Sequence, residues 1–156
     1  MSSRSKEVPI TVIGTGTWGT TLAVVLARRY KGVTLWAWTQ EEEARLNRER
    51  ANAAFVADAR FPPSLTVTHD VERAVRGCRL LLLVVPSQHM RENARTVAPF
   101  VGPDTLVVSA AKGLELGSLR RMTEVVADEL TGGARANICA LSGPNIAREV
   151  LQSLPA

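Results

Sequence analysis

One stretch of this chain, residues 10–26, limits the folds open to it more than any other. It reads ITVIGTGTWGTTLAVVL: an apolar segment of strand-like composition, three glycines spaced G-x-G-x-x-G, and a second apolar segment with helical spacing. This order of strand, glycine turn and helix is typical of turns that bind dinucleotides. An ordinary flexible loop can also carry such glycines, but it lacks the flanking strand and helix.

Each glycine of the turn has its own predicted task. Gly14 allows a sharp turn at the end of the strand, and Gly16 lets a pyrophosphate approach bare backbone. Gly19 lets the helix pack closely on the strand. Because the first N–H groups of a helix have no partner within it, they are free to hold phosphate oxygens. The turn is therefore predicted to cradle a phosphate.

The length of 156 residues suits one domain with a core of its own. We expect a disordered tail at residues 1–7 and a single domain at residues 8–156. The longest bulky apolar run, residues 80–85, is far shorter than the roughly 20 residues of a membrane-spanning helix. The polar start of the chain has no signal-peptide pattern. A cytoplasmic protein without a membrane span is therefore expected.

Charge and cysteine usage narrow the partners further. The net charge of +4 favours anionic partners, and because the basic residues are scattered, a phosphorylated small molecule explains it as well as a nucleic acid. Aromatic residues make up only 4% of the chain, which leaves few platforms for base stacking. Cys78 and Cys139 have no CxxC partner and no histidine cluster nearby. Two buried thiols and no metal site are expected.

Strand-like and helical patterns alternate along the whole chain. Strands are predicted at residues 8–13, 33–38, 65–68, 79–85, 105–109 and 137–141. Helices are predicted at residues 18–30, 41–54, 71–75, 87–98 and 118–130, with a final helix opened by residues 142–145. Asp70, Ser87 and Ser142 are the expected caps, and Gly132 and Gly133 close the helix at 118–130. This alternation predicts an α/β fold with a doubly wound parallel sheet of the Rossmann type.

The apolar spacing within two of the helices predicts which of their side chains face the core. The helix at 118–130 is expected to turn Leu119, Met122 and Val126 toward the core. The last helix is expected to carry Ile146, Val150 and Leu154 on its apolar face.

Ligands of such sheets bind beyond the carboxyl ends of the strands, so the residues that follow each strand are the candidates. Lys112 follows the fifth predicted strand between small residues, where its ammonium can reach a phosphate or a ketone oxygen. Residues 142–145, SGPN, follow the last strand and suit an anion site or an ordinary helix start equally well. His69 and His89 have no obvious partner for a catalytic triad and receive no role.

The residue after the second strand usually decides between NAD and NADP. An Asp or Glu there holds the ribose hydroxyls of NAD, and a nearby Arg accommodates the extra phosphate of NADP. This chain has Trp38, Thr39 and Gln40 instead. Trp38 either packs against an adenine or is an ordinary core or surface tryptophan. Both NAD and NADP therefore stay open as the cofactor.

Six segments follow one another along the chain: GTGTWG at 14–19, VTLWA at 33–37, NAAF at 52–55, VVPSQ at 84–88 with Arg91, SAAKGLE at 109–115, and LSGPN at 141–145 with Ala147 and Glu149. Together and in this order they resemble the N-terminal domain of NAD(P)-dependent glycerol-3-phosphate dehydrogenase of the soluble bacterial type. The resemblance covers residues 8–156. It implies reversible hydride transfer between NAD(P)H and dihydroxyacetone phosphate, which gives sn-glycerol 3-phosphate for phospholipid synthesis.

The resemblance also implies roles for single residues. The cofactor-binding residues would be Gly14, Gly16, Thr17, Trp18, Gly19, Trp38, Thr39, Lys112 and Ala147, with Trp38 and Thr39 facing the adenosine ribose. The substrate side would be lined by Lys112, Gly143 and Asn145. Lys112 would polarise the substrate and not serve as the proton donor.

Two departures from the family pattern shape the expectation. Trp38 and Thr39 stand where the family often carries His or Arg, so the usual contact to an NADP phosphate is missing. The family's general acid/base lysine belongs to a helical C-terminal domain, which we expect to be absent from this chain. Dinucleotide binding with very poor turnover is therefore expected, together with an uncovered apolar surface near the last helix that favours self-association, including a homodimer.

Three alternatives remain at this point. The chain could be a stand-alone nucleotide-binding module without catalysis. It could belong to another NAD(P)-dependent dehydrogenase of the hydroxyacid or 6-phosphogluconate type. A nucleic-acid-binding protein is supported only by the basic charge.

Overall fold

The computed structural model describes residues 6–130, 135 and 137–154, with the backbone alone for Lys6 and Asp58. Its strands are β1 (Lys6–Ile13), β2 (Tyr30–Trp36), β3 (Ala51–Asn52), β4 (Val56–Arg60), β5 (Leu65–Thr68), β6 (Leu80–Leu83), β7 (Leu106–Ser109) and β8 (Ile138–Ala140). Its α-helices are α1 (Thr17–Arg29), α2 (Gln40–Glu49), α3 (Val71–Val75), α4 (Met90–Val97), α5 (Met122–Glu129) and α6 (Ala147–Leu151). Two short 3-10 turns span Ser87–His89 and Ala98–Phe100.

Six strands form one parallel sheet in the order β5-β2-β1-β6-β7-β8. The chain begins near the middle with β1, builds outward through β2 to β5, and then returns to the other side of β1 as β6. The connections that leave β1 and β6 therefore run in opposite directions, which opens a crevice at the carboxyl ends of these two strands. The predicted doubly wound, Rossmann-like fold is confirmed.

The carboxyl ends of the strands are in register across the sheet. Ile13 lies between Trp36 of β2 and Leu83 of β6. Leu83 in turn is paired with Ser109 of β7, and Ser109 is paired with Ala140 of β8. The residues that follow these strands consequently share one edge of the sheet, where the sequence places its ligand-binding candidates.

The core lies on both faces of the sheet. Leu81 and Leu83 of β6 pack with α3, α4 and α5 on one face, and Leu82 packs with α1 and α6 on the other. Successive side chains of a strand point to opposite faces. An unbroken apolar run therefore fits only a strand that is covered on both sides, as β6 is.

The predicted helix at 41–54 is wrong beyond Glu49. Arg50 takes a left-handed conformation with φ of 48°, and β3 then pairs with β4 in a separate antiparallel ribbon. The predicted tail is also too long, since Lys6 and Glu7 belong to β1. Residues 1–5 of that tail lie outside the described residues.

The predicted helix at 118–130 is wrong in its first turn. Leu119 has a left-handed φ of 56° and is 71% exposed, so α5 begins only at Met122. Met122 and Val126 are buried as expected. The predicted closure of this helix at Gly132 and Gly133 lies outside the described residues.

The last helix is shorter than predicted and turns a different residue inward. α6 begins at Ala147 with Ile146 as its N-cap, and Leu151 is its buried side chain. Ile146 and Leu154, expected on the apolar face, are both more than half exposed.

Ser87 and Ser142 do not serve as helix caps. No side-chain hydrogen bond caps α4, which follows the 3-10 turn, or α6, whose N-cap is Ile146. Asp70 does cap α3, because its carboxylate accepts a hydrogen bond from the Arg73 N–H.

The two cysteines differ in environment. Cys78 is buried, whereas Cys139 is exposed on β8, so the expectation of two buried thiols is wrong for Cys139. Among the described strands β8 lies at the edge of the sheet, beside β7, which leaves its residues less covered. Within the described part of the chain, no helix has the length and apolarity needed to cross a bilayer.

A pair of leucine substitutions tests the position of the core. Leu81→Ala removes a fully buried side chain and is expected to lower the free energy of unfolding by about 2–5 kcal/mol. Leu116→Ala, at a position that is 77% exposed, is expected to change it by less than about 0.5 kcal/mol. Urea denaturation measures both, and equal effects would contradict the described core.

Candidate functional site

The glycine turn after β1 is held by two backbone contacts that exclude any side chain. Gly14 has a φ of 115°, and a Cβ built on it would lie 2.3 Å from the Val84 carbonyl oxygen. A Cβ on Gly19 would lie 2.0 Å from the carbonyl oxygen of Gly14. Glycine is therefore required at both positions, and α1 lies directly on the turn as the spacing predicts.

Gly16 is a glycine for another reason. It has an ordinary extended conformation, with φ of −67° and ψ of −178°, and a Cβ built on it would meet nothing within 4 Å. It is also the N-cap of α1, which has no side-chain cap and no acidic residue in its first turn. The first residues of α1, Thr17 to Gly19, line a cleft beside this bare backbone, and the start of a helix is an arrangement suited to an anion.

A cleft crosses the carboxyl edge of the sheet on both sides of Gly16. Its first lobe, of about 440 Å³, extends from the glycine turn over the ends of β7 and β8. Its second lobe, of about 420 Å³, extends from the same turn toward the end of β2. The two lobes share Gly16, Val84, Val85 and Pro86. They therefore form one groove that passes through the β1–β6 crevice.

The first lobe brings together residues far apart in sequence. It is lined by Gly16, Thr17, Trp18 and Gly19 from the turn, by Lys112, and by Asn145 and Ala147. The Lys112 ammonium is exposed and donates a hydrogen bond of 2.8 Å to the Gly143 carbonyl oxygen. Gly143 has a φ of 150° and is not part of the lining. Most residues predicted for the nicotinamide and substrate side thus share one lobe.

The second lobe contains Trp38 but not Thr39. Trp38 is 54% exposed, and its ring packs edge to face against the Trp36 ring, with 5.2 Å between the ring centroids. Thr39 is the N-cap of α2, and its hydroxyl oxygen accepts a hydrogen bond of 3.1 Å from the Glu42 N–H. Thr39 was predicted to contact a cofactor, but it is not among the residues that line the second lobe.

Asn52 is a functional candidate to which sequence reasoning gave no role. It is fully buried, and its amide nitrogen donates to the Thr15 carbonyl oxygen at 2.7 Å and to the Thr20 hydroxyl at 2.9 Å. The ribbon of β3 and β4 thus braces the glycine turn. Its place in the NAAF segment was a signal, but only the fold shows what it contacts.

The loop that carries Lys112 is fixed by two residues of the VPSQxxR segment. The Gln88 side-chain amide donates to the Leu114 carbonyl oxygen and accepts from the Leu116 N–H, each at 3.0 Å. Arg91 binds the Glu115 carboxylate through two nitrogens, at 2.7 and 2.8 Å. Such paired contacts hold a loop in one geometry, so this segment positions the loop that presents Lys112.

The Arg91 guanidinium also contacts two acidic residues of α5. It reaches Glu129 at 2.6 Å and Asp128 at 3.2 Å. The hydrogen bonds from Arg91, followed by that from Ser118, lower the pKa of Glu115 to about 2. Glu115 is therefore an anion throughout the neutral range, and the Lys112 loop is tied to both α4 and α5.

The two histidines lie beside carboxylates. His69 Nδ1 is hydrogen bonded to Glu43, and His89 Nδ1 lies 3.8 Å from Glu92. The expectation that neither histidine has a partner carboxylate is therefore wrong. Both pairs are exposed, and His89 also borders the second lobe.

Comparisons with known proteins agree on one family. The model of the N-terminus of NAD-dependent glycerol-3-phosphate dehydrogenase matches residues 9–156. A curated glycerol-3-phosphate dehydrogenase (NAD(P)+) from Dehalococcoides mccartyi is 47% identical over 148 residues, which make up 94% of this chain and 41% of that protein. A second, from Mycobacterium tuberculosis, is 42% identical over 147 residues, 94% of this chain and 44% of that protein.

A solved structure extends the likeness to the fold. The crystal structure of a glycerol-3-phosphate dehydrogenase from Coxiella burnetii superposes with a TM-score of 0.84 at 35% identity. The match covers 96% of this chain and 45% of that one. The chain thus spans less than half the length of the relatives it matches.

The brace from Asn52 can be tested by truncation. Asn52→Ala removes the buried amide that donates to both Thr15 and Thr20, so that the Thr15 carbonyl keeps only the donor hydroxyl of Thr20 among these contacts. This loss is expected to cost about 1–3 kcal/mol of unfolding free energy. Asn137→Ala removes an exposed hydrogen bond from the Asn137 side-chain amide to the Pro103 carbonyl oxygen, and it is expected to cost less than about 0.5 kcal/mol of unfolding free energy. Urea denaturation compares the two, and an undisturbed Asn52→Ala would contradict the brace.

The Arg91–Glu115 contact predicts a pH dependence. Because the pKa of Glu115 is lowered from 4.5 to about 2 in the folded chain, its stabilising effect is complete above about pH 4.5 and declines as pH falls toward 2. A double-mutant cycle of Arg91→Met and Glu115→Gln, followed by urea denaturation from pH 7 to pH 3, should show a coupling that shrinks below about pH 4.5. A coupling that stays constant over this range would contradict the assignment.

Proposed function

Because this chain belongs to the NAD-dependent glycerol-3-phosphate dehydrogenase family, we propose that it is the dinucleotide-binding part of an sn-glycerol-3-phosphate dehydrogenase. The domain is assigned to the predicted residues 8–156, extended at its start to Lys6, where β1 begins. The whole enzyme would transfer a hydride reversibly between NAD(P)H and dihydroxyacetone phosphate. The observation that carries the proposal is the bare backbone of Gly16 at the junction of the two lobes, because it leaves room for a pyrophosphate at the start of α1.

The residues around Gly16 fit a dinucleotide. Its pyrophosphate would rest on the N–H groups of residues 17–19, where the dipole of α1 favours negative charge. The two halves of the dinucleotide would then occupy the two lobes. The nicotinamide half is assigned to the first lobe, which contains Lys112, and the adenosine half to the second lobe, which contains Trp38.

Lys112 is the assigned substrate contact in the first lobe. The cofactor supplies the hydride when bound, so the protein's task is to hold the ketone near it and to stabilise the charge that develops on the ketone oxygen. The Lys112 ammonium is an exposed donor whose hydrogen bond to Gly143 leaves two of its three protons for a ligand. With Asn145 beside it, this group would bind and polarise the substrate, while a residue outside this chain would serve as the general acid/base.

Location and assembly belong to the same proposal. A cytoplasmic location is supported by Cys78 and Cys139, which are both free thiols, as is usual in reducing compartments. A homodimer is supported by the apolar side chains exposed near the last helix and the Lys112 loop, among them Ile146, Leu154 and Leu116.

The phosphate cradle is tested by a single substitution. Gly16→Val keeps a backbone conformation open to any residue but fills the space beside the first N–H groups of α1. It is expected to weaken NADH and NADPH binding about tenfold or more, which is at least about 1.4 kcal/mol of binding free energy. Isothermal titration calorimetry on the chain measures this.

The matched control is Gly102→Ala, at a glycine that lines neither lobe and whose added Cβ has ordinary contact distances. Both variants should keep the thermal unfolding midpoint of the unaltered chain, and only Gly16→Val should lose affinity. If Gly16→Val folds normally and binds the dinucleotides with unchanged affinity, the cradle is wrongly assigned.

A further inference from the structure

The carboxylate of Glu42 lies at the strand ends although Glu42 belongs to α2. Its Oε1 accepts a hydrogen bond of 2.7 Å from the Thr15 hydroxyl, and its Oε2 accepts one of 3.0 Å from the Trp38 N–H. Thr15 lies in the glycine turn, and Trp38 follows β2. Since β1 and β2 are neighbours paired at Ile13 and Trp36, the carboxylate bridges the two strand ends.

Helix capping explains how a residue of α2 reaches this position. Thr39 is the N-cap of α2, and Glu42 is the third residue of the helix, the spacing of a capping box. In such a box the glutamate side chain turns back toward the residues that precede the helix. Here residues 37–39 alone separate β2 from α2, so the turned-back carboxylate arrives at the edge of the sheet.

Glu42 retains capacity for a ligand at this place. An ionised carboxylate has about four lone-pair sites, and the two hydrogen bonds to Thr15 and Trp38 use one site on each oxygen. Glu42 is not itself among the residues that line the second lobe, but both of its hydrogen-bond partners, Thr15 and Trp38, are. Two adjacent hydroxyl groups of a sugar would match the remaining acceptor sites.

The surroundings of Glu42 oppose a phosphate group additional to the pyrophosphate of the dinucleotide. Glu41 and Glu43 share the first turn of α2 with it. Arg45 lies one turn further along the helix, and its guanidinium is hydrogen bonded to Glu49 and Asn52. His69 is bonded to Glu43. A phosphate monoester, which carries roughly −1.5 to −2 charges at neutral pH, would therefore face carboxylates, while the nearby Arg45 guanidinium is bonded elsewhere.

We propose that Glu42 selects the cofactor by accepting hydrogen bonds from the 2′- and 3′-hydroxyls of the adenosine ribose and repelling a 2′-phosphate, so that this chain prefers NADH to NADPH. The inference rests on the proposed function, because it requires the adenosine half of a dinucleotide in the second lobe. It assigns to Glu42 the task that an acidic residue directly after the second strand has in other dinucleotide-binding folds. Trp38 and Thr39 occupy those positions here.

The test measures two dissociation constants instead of activity. NADH and NADPH are titrated by calorimetry into the unaltered chain, into Glu42→Gln, and into the control Glu41→Gln, which removes a charge from the same helical turn. The unaltered chain should bind NADH about tenfold or more tightly than NADPH. Glu42→Gln should reduce that preference by about tenfold, mainly by improving NADPH binding, because the amide keeps the size of the side chain and loses its charge.

The ratio separates a selecting residue from a purely structural one. If Glu42 only caps α2 and ties it to the glycine turn, its substitution weakens both dinucleotides equally and the ratio stays constant, which would overturn the inference. Equal affinities of the unaltered chain for NADH and NADPH would overturn it as well, as would an effect of Glu41→Gln equal to that of Glu42→Gln. If neither dinucleotide binds, the proposed function itself fails.

Discussion

The contact of α1 with the ends of β1 and β6 is the constraint on which this structure depends. At Gly14 and Gly19 backbone meets backbone at distances that leave no room for a Cβ atom. Close packing of this kind fixes the angle at which α1 leaves the sheet and brings its first N–H groups to the β1–β6 crevice. Gly16, which lies between these two contacts, is left facing the cleft. The surface proposed to bind the dinucleotide thus follows from the way in which helix and strand must pack.

Side chains from later segments hold both walls of the cleft. On one side the Asn52 amide supports the glycine turn, and on the other Gln88 and Arg91 hold the loop after Lys112. Their hydrogen bonds go to backbone groups, to the Thr20 hydroxyl and to carboxylates of the loop and of α5, so their effect is positional. A backbone turn and a lysine loop are flexible elements by themselves, and such cross-links fix their geometry before a ligand arrives, which reduces the cost of binding.

The sequence was sufficient for the sheet but not for every contact around it. Apolar runs such as β6 and the glycine turn are local patterns, so the parallel fold and most of the first lobe could be predicted from them. The β3–β4 ribbon could not, because Asn52 is a polar residue whose burial depends on partners far away in the chain. The prediction for Leu119 was wrong for the opposite reason. Its position in the local apolar pattern is typical of a helix, but its backbone conformation is left-handed.

The second lobe, to which the adenosine half is assigned, shows how a positional fingerprint can miss an acidic side chain that the fold brings to the strand end. A sequence fingerprint specifies residue types at fixed positions along the chain. At the positions after the second strand this chain has Trp38 and Thr39. A ligand meets positions in space, and the start of α2 returns Glu42 to the vicinity of Trp38 through a hydrogen bond to its N–H. Thr39, which occupies a position where an acidic residue is expected, caps α2, and α2 carries the acidic Glu42. A missing residue type in such a motif is therefore weak evidence until the first turn of the following helix has been considered, because an N-cap directly after a strand turns the third helical side chain back toward the strand end.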